Sequence, residues 1–222
     1  MPGAGRQSER YHERLGKRHK TLTDWARQMV RQVRRWLPER PIVIVADSAF
    51  AALDFLDATR PHATIITRLR LDAALYAPAP ARHPKQRGRS RKKGERLPAL
   101  SQVLADTRTQ WTSLTARFWY GEQNRVLQVA SATALWYHSG MPVIALRWVL
   151  IRDPLGQFET QALLCTDVHA TPAFILDCFV QRWQMEVTFE EARAHLGWKP
   201  SVNGRTRQLP ARRLACWGCI PL

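Results

Sequence analysis

PIVIVADSAF, residues 41–50, runs a β-branched stretch, Ile42 to Val45, straight into Ala46 and Asp47. A short apolar run of this kind predicts a strand, and one apolar on every residue belongs inside a sheet covered by helices on both faces. Downstream, AALDFLDA (51–58) has a helical pattern and ATIITRLR (63–70) is a second strand. Strand, helix, strand is an α/β unit. Its functional end is the carboxyl end of the strands, where open α/β sheets place their sites. Asp47 stands there. Two readings are open for it: a carboxylate projecting into a crevice, or a cap for the following helix.

Working outward, TLTDWARQMVRQVRRWLPE (21–39) repeats Leu22, Trp25, Met29, Val33 and Trp36 at helical spacing and ends near Pro38, which predicts a surface helix with one apolar stripe. Residues 1–20 are polar and basic, a solvated lead-in. Residues 21–75 complete the α/β part. From Tyr76 to Arg96 the chain turns to YAPAPARHPKQRGRSRKKGER, a Pro-, Gly- and Arg-rich exposed loop. Beyond it, ARFWYG, RVLQVASATALWY, MPVIALRWVLIRD and FETQALLCTD predict antiparallel strands, so residues 76–168 read as a basic loop with a β-rich insertion. Residues 169–197 then form a last helix, with Thr171 as its cap, Pro172 at its first position and Gly197 as its stop. The tail, residues 198–222, shows no sustained period.

On that last helix, FVQRWQMEVTFEEARAHLG (179–197) spaces Phe179, Arg182, Glu186 and Arg193 by three, four and seven residues, on one stripe. Leu176, Val180, Trp183 and Val187 form its core side. Glu186 falls at the edge of that side, one turn from Arg182. An intrahelical ion pair explains this arrangement, and so does a carboxylate delivered to a divalent cation.

The charge balance narrows the partner. With 34 Lys and Arg against 18 Asp and Glu, the formal net charge is +16, which repels self and attracts polyanions, nucleic acid first. The loop cations Arg82, Lys85, Arg87, Arg89, Arg91, Lys92, Lys93 and Arg96 are either a solvated charge run or a track for a phosphate backbone. Trp25, Trp36, Trp148 and Trp183 sit at apolar-periodic positions and are expected in the core, whereas Trp119 and Tyr120 are candidates for stacking on a base. No apolar run spans a bilayer and no signal-peptide pattern opens the chain, so a cytoplasmic protein without membrane association is expected. Cys165, Cys178, Cys216 and Cys219 are too few for a disulfide framework, and the last two lack the second pair a zinc site needs.

Taken together, ADSAF after an apolar strand and FVQRWQMEVTFEEARAHLG far downstream resemble the DDE-type insertion-sequence transposases. Their signature helix reads Tyr, two residues, Arg, three residues, Glu, six residues, Lys. Phe179, Arg182, Glu186 and Arg193 occupy those places here, two identical and two conservative, at the full spacing. The resemblance implies a partial ribonuclease H-like α/β fold with a β-rich insertion before the catalytic helix. It implies Asp47 and Glu186 as catalytic residues and ligands of Mg²⁺ or Mn²⁺. The activity implied is cleavage and strand transfer in DNA transposition. Arg182, Arg193 and the loop cations would contact DNA, either transposon ends or target. A homodimer, or association with a full-length transposase, is the implied assembly.

One position of the family pattern lacks a candidate. Before Asp47 the acids are Glu9, Glu13, Asp24 and Glu39, none on a strand-like run. The expectation is a chain that begins after the first strands of the fold and, without the first aspartate, is catalytically inactive by itself. Loss of those strands also predicts an unpaired sheet edge and bare apolar surface. The alternative is a non-catalytic DNA-binding protein using the same basic surface.

Overall fold

The computed structural model describes residues 14, 16, 19–81 and 90–195. Met1–Met185 form one compact unit and Glu186–Leu222 a second. The first unit opens with helix α1 (Leu22–Trp36). Thr21 caps it through a reciprocal pair of bonds: the Asp24 amide donates to the Thr21 hydroxyl at 3.2 Å, and the Thr21 amide donates to the Asp24 carboxylate at 3.0 Å. At its other end the Arg34 guanidinium donates to the carbonyls of Leu37, Arg40 and His62, tying the helix exit to the loop before the second strand.

Strand β1 (Val43–Ala46) follows, then a single 3-10 turn (Ser48–Phe50), helix α2 (Leu53–Thr59) and strand β2 (Thr64–Leu69). β1 and β2 pair in parallel, with Val45 opposite Ile66 and Ala46 opposite Thr67. The α/β unit read from the sequence is therefore present. After the short β3 (Leu75–Tyr76) and α3 (Leu100–Ala105) come the four antiparallel strands β4 (Thr112–Trp119), β5 (Glu122–Trp136), β6 (Ile144–Arg152) and β7 (Gln161–Cys165). These strands continue the α/β sheet: β7 pairs antiparallel with β2, and the order is β1-β2-β7-β6-β5-β3, with β4 also on β5. Among the described residues one seven-stranded sheet results. Helix α4 (Pro172–His195) closes the described chain, its first turn capped by the Thr171 hydroxyl, which accepts from the Phe174 amide at 3.2 Å.

Strand alternation sorts the side chains onto two faces. One face carries Ile65, Leu69, Leu146 and Leu150 against Val30 of α1, Phe55 and Leu56 of α2 and Leu100 of α3. The opposite face carries Ile66, Val149, Ile151 and Leu163 against Ile175, Leu176, Phe179 and Val180 of α4. Helices thus cover both faces, as the apolar run of β1 suggested.

Two expectations fail. β1 is not a fully buried strand: Val43 is 39% exposed and the remaining three residues are half-buried. It stands at the edge of the sheet with β2 as its neighbour among the described residues, so its apolar run has cover on one flank alone. Nor are Trp25 and Trp36 core residues. Leu22, Trp25, Met29 and Trp36 are 65%, 50%, 66% and 70% exposed, while Val30 is buried. The stripe that periodicity detects is real, but the helix turns Ala26 and Val30 inward instead. Trp148 is buried as expected, and Trp183 is half-buried.

Candidate functional site

Asp47 follows the last residue of β1 in an extended conformation, φ −76° and ψ 166°. Its backbone is fixed from below: the buried Thr67 hydroxyl of β2 donates to the Asp47 carbonyl at 2.7 Å, and the Phe50 amide donates to the same oxygen at 2.9 Å. Its side chain does two things at once. Oδ1 accepts from the Ser48 amide at 2.6 Å and from the Ser48 hydroxyl at 3.3 Å, capping the 3-10 turn. Oδ2 has no partner among the described residues, and the residue is exposed. The cap reading and the projecting-carboxylate reading are therefore both satisfied, one per oxygen.

Because β1 and β2 are parallel, their carboxyl ends lie together. Parity places Val45 and Asp47 on the α4 face, the same face as Ile66 and Arg68. Arg68 is exposed, and its Nη2 donates to the Tyr120 hydroxyl at 3.1 Å. That hydroxyl lies 3.4 Å from Gln161 Oε1 at the start of β7. The guanidinium carbon stands 5.6 Å from the Phe179 ring of α4.

Tyr120 is held in place by the β4–β5 hairpin. Tyr120 and Gly121 form its turn with φ 47° and 94°, a left-handed pair that carries the chain back along β5. Its ring stacks on Phe158 at 5.8 Å and meets Trp119 and Trp183 edge-on at 4.9 and 6.0 Å. Phe158 in turn lies under Arg125, whose guanidinium pairs with Asp153 at 2.7 Å and with Glu122 at 2.7 Å. Asp153 also accepts from the amides of Leu155, Gln157 and Phe158. Burial pushes the Asp153 carboxyl up, but the Arg125 bond and the three amides together outweigh it and hold the carboxyl below the usual range. Trp119 is buried, which removes it as a base-stacking candidate. Tyr120 is half-buried within the aromatic cluster and offers its hydroxyl to Arg68.

The remaining expected site residues are distributed as follows. On α4, Phe179 is buried, Arg182 half-buried, and Glu186 and Arg193 exposed. Glu186 and Arg193 belong to the second unit. Of the loop cations, Arg82, Lys85, Arg87 and Arg89 lie outside the described residues. Arg91, Lys92, Lys93 and Arg96 are described, and the loop base is ordered by backbone bonds. Gly94 donates to Ala77, Ala77 to Glu95 and Leu97 to Leu75. Lys93 is placed differently from its neighbours: its Nζ lies 3.4 Å from the Tyr76 centroid and 4.5 Å from that of Tyr137, so it clamps the loop base. Arg68 was not singled out as a site residue from the sequence, and Tyr120 was singled out there for stacking on a base, not as a support for Arg68. The available signal was a lone cation in the apolar run TIITRL, at the same parity as Asp47.

Residues 5–141 match the family described as DDE superfamily endonuclease, more than half of the chain. The chain belongs to the DDE superfamily endonucleases. The match includes β1, Asp47, β2 and Arg68, and the mixed α/β sheet agrees with the ribonuclease H-like architecture expected of such a domain. No match was found among curated proteins. Membership makes DNA the substrate class and makes a divalent cation the usual helper of this endonuclease superfamily. Among the described residues, no group of three His, Cys, Asp or Glu side chains is placed to hold a metal ion. The donor set around Asp47 is thus incomplete within them. No described helix is long and apolar enough to cross a membrane.

Proposed function

We propose that this endonuclease-superfamily chain is a transposase domain that engages DNA at the carboxyl end of β1 and β2. Its ancestral reaction is metal-dependent cleavage and strand transfer at insertion-sequence ends. The observation that carries this reading is Asp47 itself, exposed and held by Thr67 and Ser48 at a strand end, with one carboxylate oxygen that has no partner among the described residues. Glu186, on the helix whose spacing fits the transposase signature, is assigned as the second carboxylate. A divalent ion, Mg²⁺ or Mn²⁺, supplies charge neutralisation at the phosphodiester in such chemistry. With two assigned carboxylates where the family pattern has three, hydrolysis by this chain alone is expected near background. DNA binding is the activity it retains. Arg182, Arg193 and the loop cations contribute phosphate contacts, and a second copy or a full-length transposase is the partner proposed.

The test is a magnesium and manganese titration of the purified chain on supercoiled DNA, with Asp47→Ala and Glu186→Ala alongside. Salt-sensitive binding without nicking is expected. Nicking lost in both variants would reveal a complete site with a further ligand and overturn the inactivity. A chain that binds no DNA would overturn the reading as a whole.

A further inference from the structure

Asp47, which directly follows β1, and Arg68 of β2 bear opposite charges at one end of the sheet, and yet do not pair. Ion pairs join Asp24 to Arg27, Asp57 to Arg60, Arg70 to Asp72, Asp106 to Arg108, and Arg125 to Glu122 and Asp153, and among the described residues Asp47 and Arg68 enter none. Register explains the proximity: Ala46 and Thr67 are the last pair of the β1–β2 ladder, Asp47 comes directly after the one and Arg68 directly after the other. The Arg68 guanidinium instead donates to the Tyr120 hydroxyl of the hairpin turn, which lies beside Gln161 of β7. That turn is not an incidental neighbour. It rests on Phe158, and Phe158 on the Arg125–Asp153 pair, whose acid is itself pinned by three backbone amides.

The result is a fixed, exposed guanidinium with a single neutral hydrogen-bond partner. An arginine has five N–H donors in a planar fork that matches a phosphate, and Tyr120 uses one of them. Many arginines of this chain are otherwise engaged. Arg34 and Arg147 donate to carbonyls, Arg152 donates to Gln128 and covers Trp111, and Arg125 is paired. Arg68 is left with donors to offer beside a carboxylate that cannot itself bind an anion.

We infer that Arg68 is a phosphate-binding residue for DNA at the Asp47 end of the sheet, and that Tyr120 is the positioning residue that aims it. Arg68 then holds a non-bridging oxygen of a phosphodiester beside the strand end that carries Asp47. This rests on the reading of the chain as a DNA-engaging domain and adds a residue that the signature helix and the basic loop do not supply.

The experiment is fluorescence anisotropy of the full chain on a labelled DNA duplex across a salt series. Wild type is compared with Arg68→Ala, Arg68→Lys, Tyr120→Phe and the control Arg108→Ala, whose guanidinium pairs with Asp106 at 2.9 Å. Losing one phosphate contact lowers the steepness of log K against log salt by about 0.9. That drop is expected in Arg68→Ala. Arg68→Lys is expected to restore the slope with weaker binding, Tyr120→Phe to weaken binding at unchanged slope, and Arg108→Ala to match wild type. If Arg68→Ala lowers the melting temperature, Arg68→Gln repeats the measurement with the side-chain length retained. A wild-type slope in Arg68→Ala and Arg68→Gln overturns the assignment while leaving the DNA-binding reading intact. An equal drop in Arg108→Ala also overturns it, since any arginine would then serve. Absence of DNA binding by the wild type overturns both.

Discussion

Asp153 shows how one residue in this protein is made to serve a site it does not touch. Its carboxylate is nearly inaccessible, bonded to Arg125 and to three amides, and its acidity is raised above the usual range despite burial. The sign follows directly. A carboxyl with a depressed folded pKa stabilises the native state above the unfolded value, about 3.9, and that stabilisation is lost as pH falls through the folded value. Urea midpoints are therefore expected to drop on acidification below about pH 4. Asp153→Asn is expected to be less stable at neutral pH and to lose less on acidification than wild type. An unchanged acid limb in that variant would remove Asp153 as the support of the hairpin turn. Cys165 behaves oppositely. Burial pushes its thiol up to about 11 from an ordinary value of 9.0, so the stability it contributes is complete below 9.0 and declines as pH rises toward about 11. Mass-spectrometric mapping after alkylation near pH 8 is expected to find Cys165 unmodified in the native chain and modified in denaturant.

At the scale of elements, α1 and α2 make a contrasting pair. Leu56 of α2 is fully buried between Val30 and the sheet, and Leu56→Ala is expected to cost about 2–5 kcal/mol in chemical denaturation. Trp36 of α1 is large and apolar but exposed, and Trp36→Ala is expected to change stability by less than about 0.5 kcal/mol. Periodicity alone ranks the two the other way, because it detects an apolar stripe without showing what faces it. A loss of several kcal/mol in Trp36→Ala would show that the stripe is covered in solution. The last helix illustrates the reverse case. Its cap at Thr171 and the burial of Leu176 and Val180 follow from spacing, since the cover over that stripe is the sheet face itself.

For the whole molecule, the net charge of +16 overstates what DNA can use. Arg34, Arg125, Arg147 and Arg152 are engaged by carbonyls, acids, Gln128 and Trp111, and Lys93 is clamped between two tyrosines. Binding is expected to weaken linearly in log salt with about 0.9 per phosphate contact, and with far fewer contacts than the cation count. A Lys93→Ala variant is expected to loosen the loop base, readable as faster amide exchange at Ala77 and Leu97, with no more effect on the salt slope than one contact accounts for.

The sequence by itself determined the α/β class, the two parallel strands, the antiparallel run after them, the cap of the last helix, and Asp47 at a strand end. Each of these depends on local periodicity, a turn residue or a charge breaking an apolar run, and such signals are contained within a few neighbouring residues. Only the tertiary structure decided that the antiparallel strands extend the same sheet, that β1 stands at its edge, and that the α1 stripe is bare. It alone brought Arg68, Tyr120, Gln161 and Asp153 into one supported arrangement beside Asp47. Those facts depend on pairing between segments up to about a hundred residues apart, Ile66 with Cys165 for example, and no local pattern encodes which strand will be the neighbour.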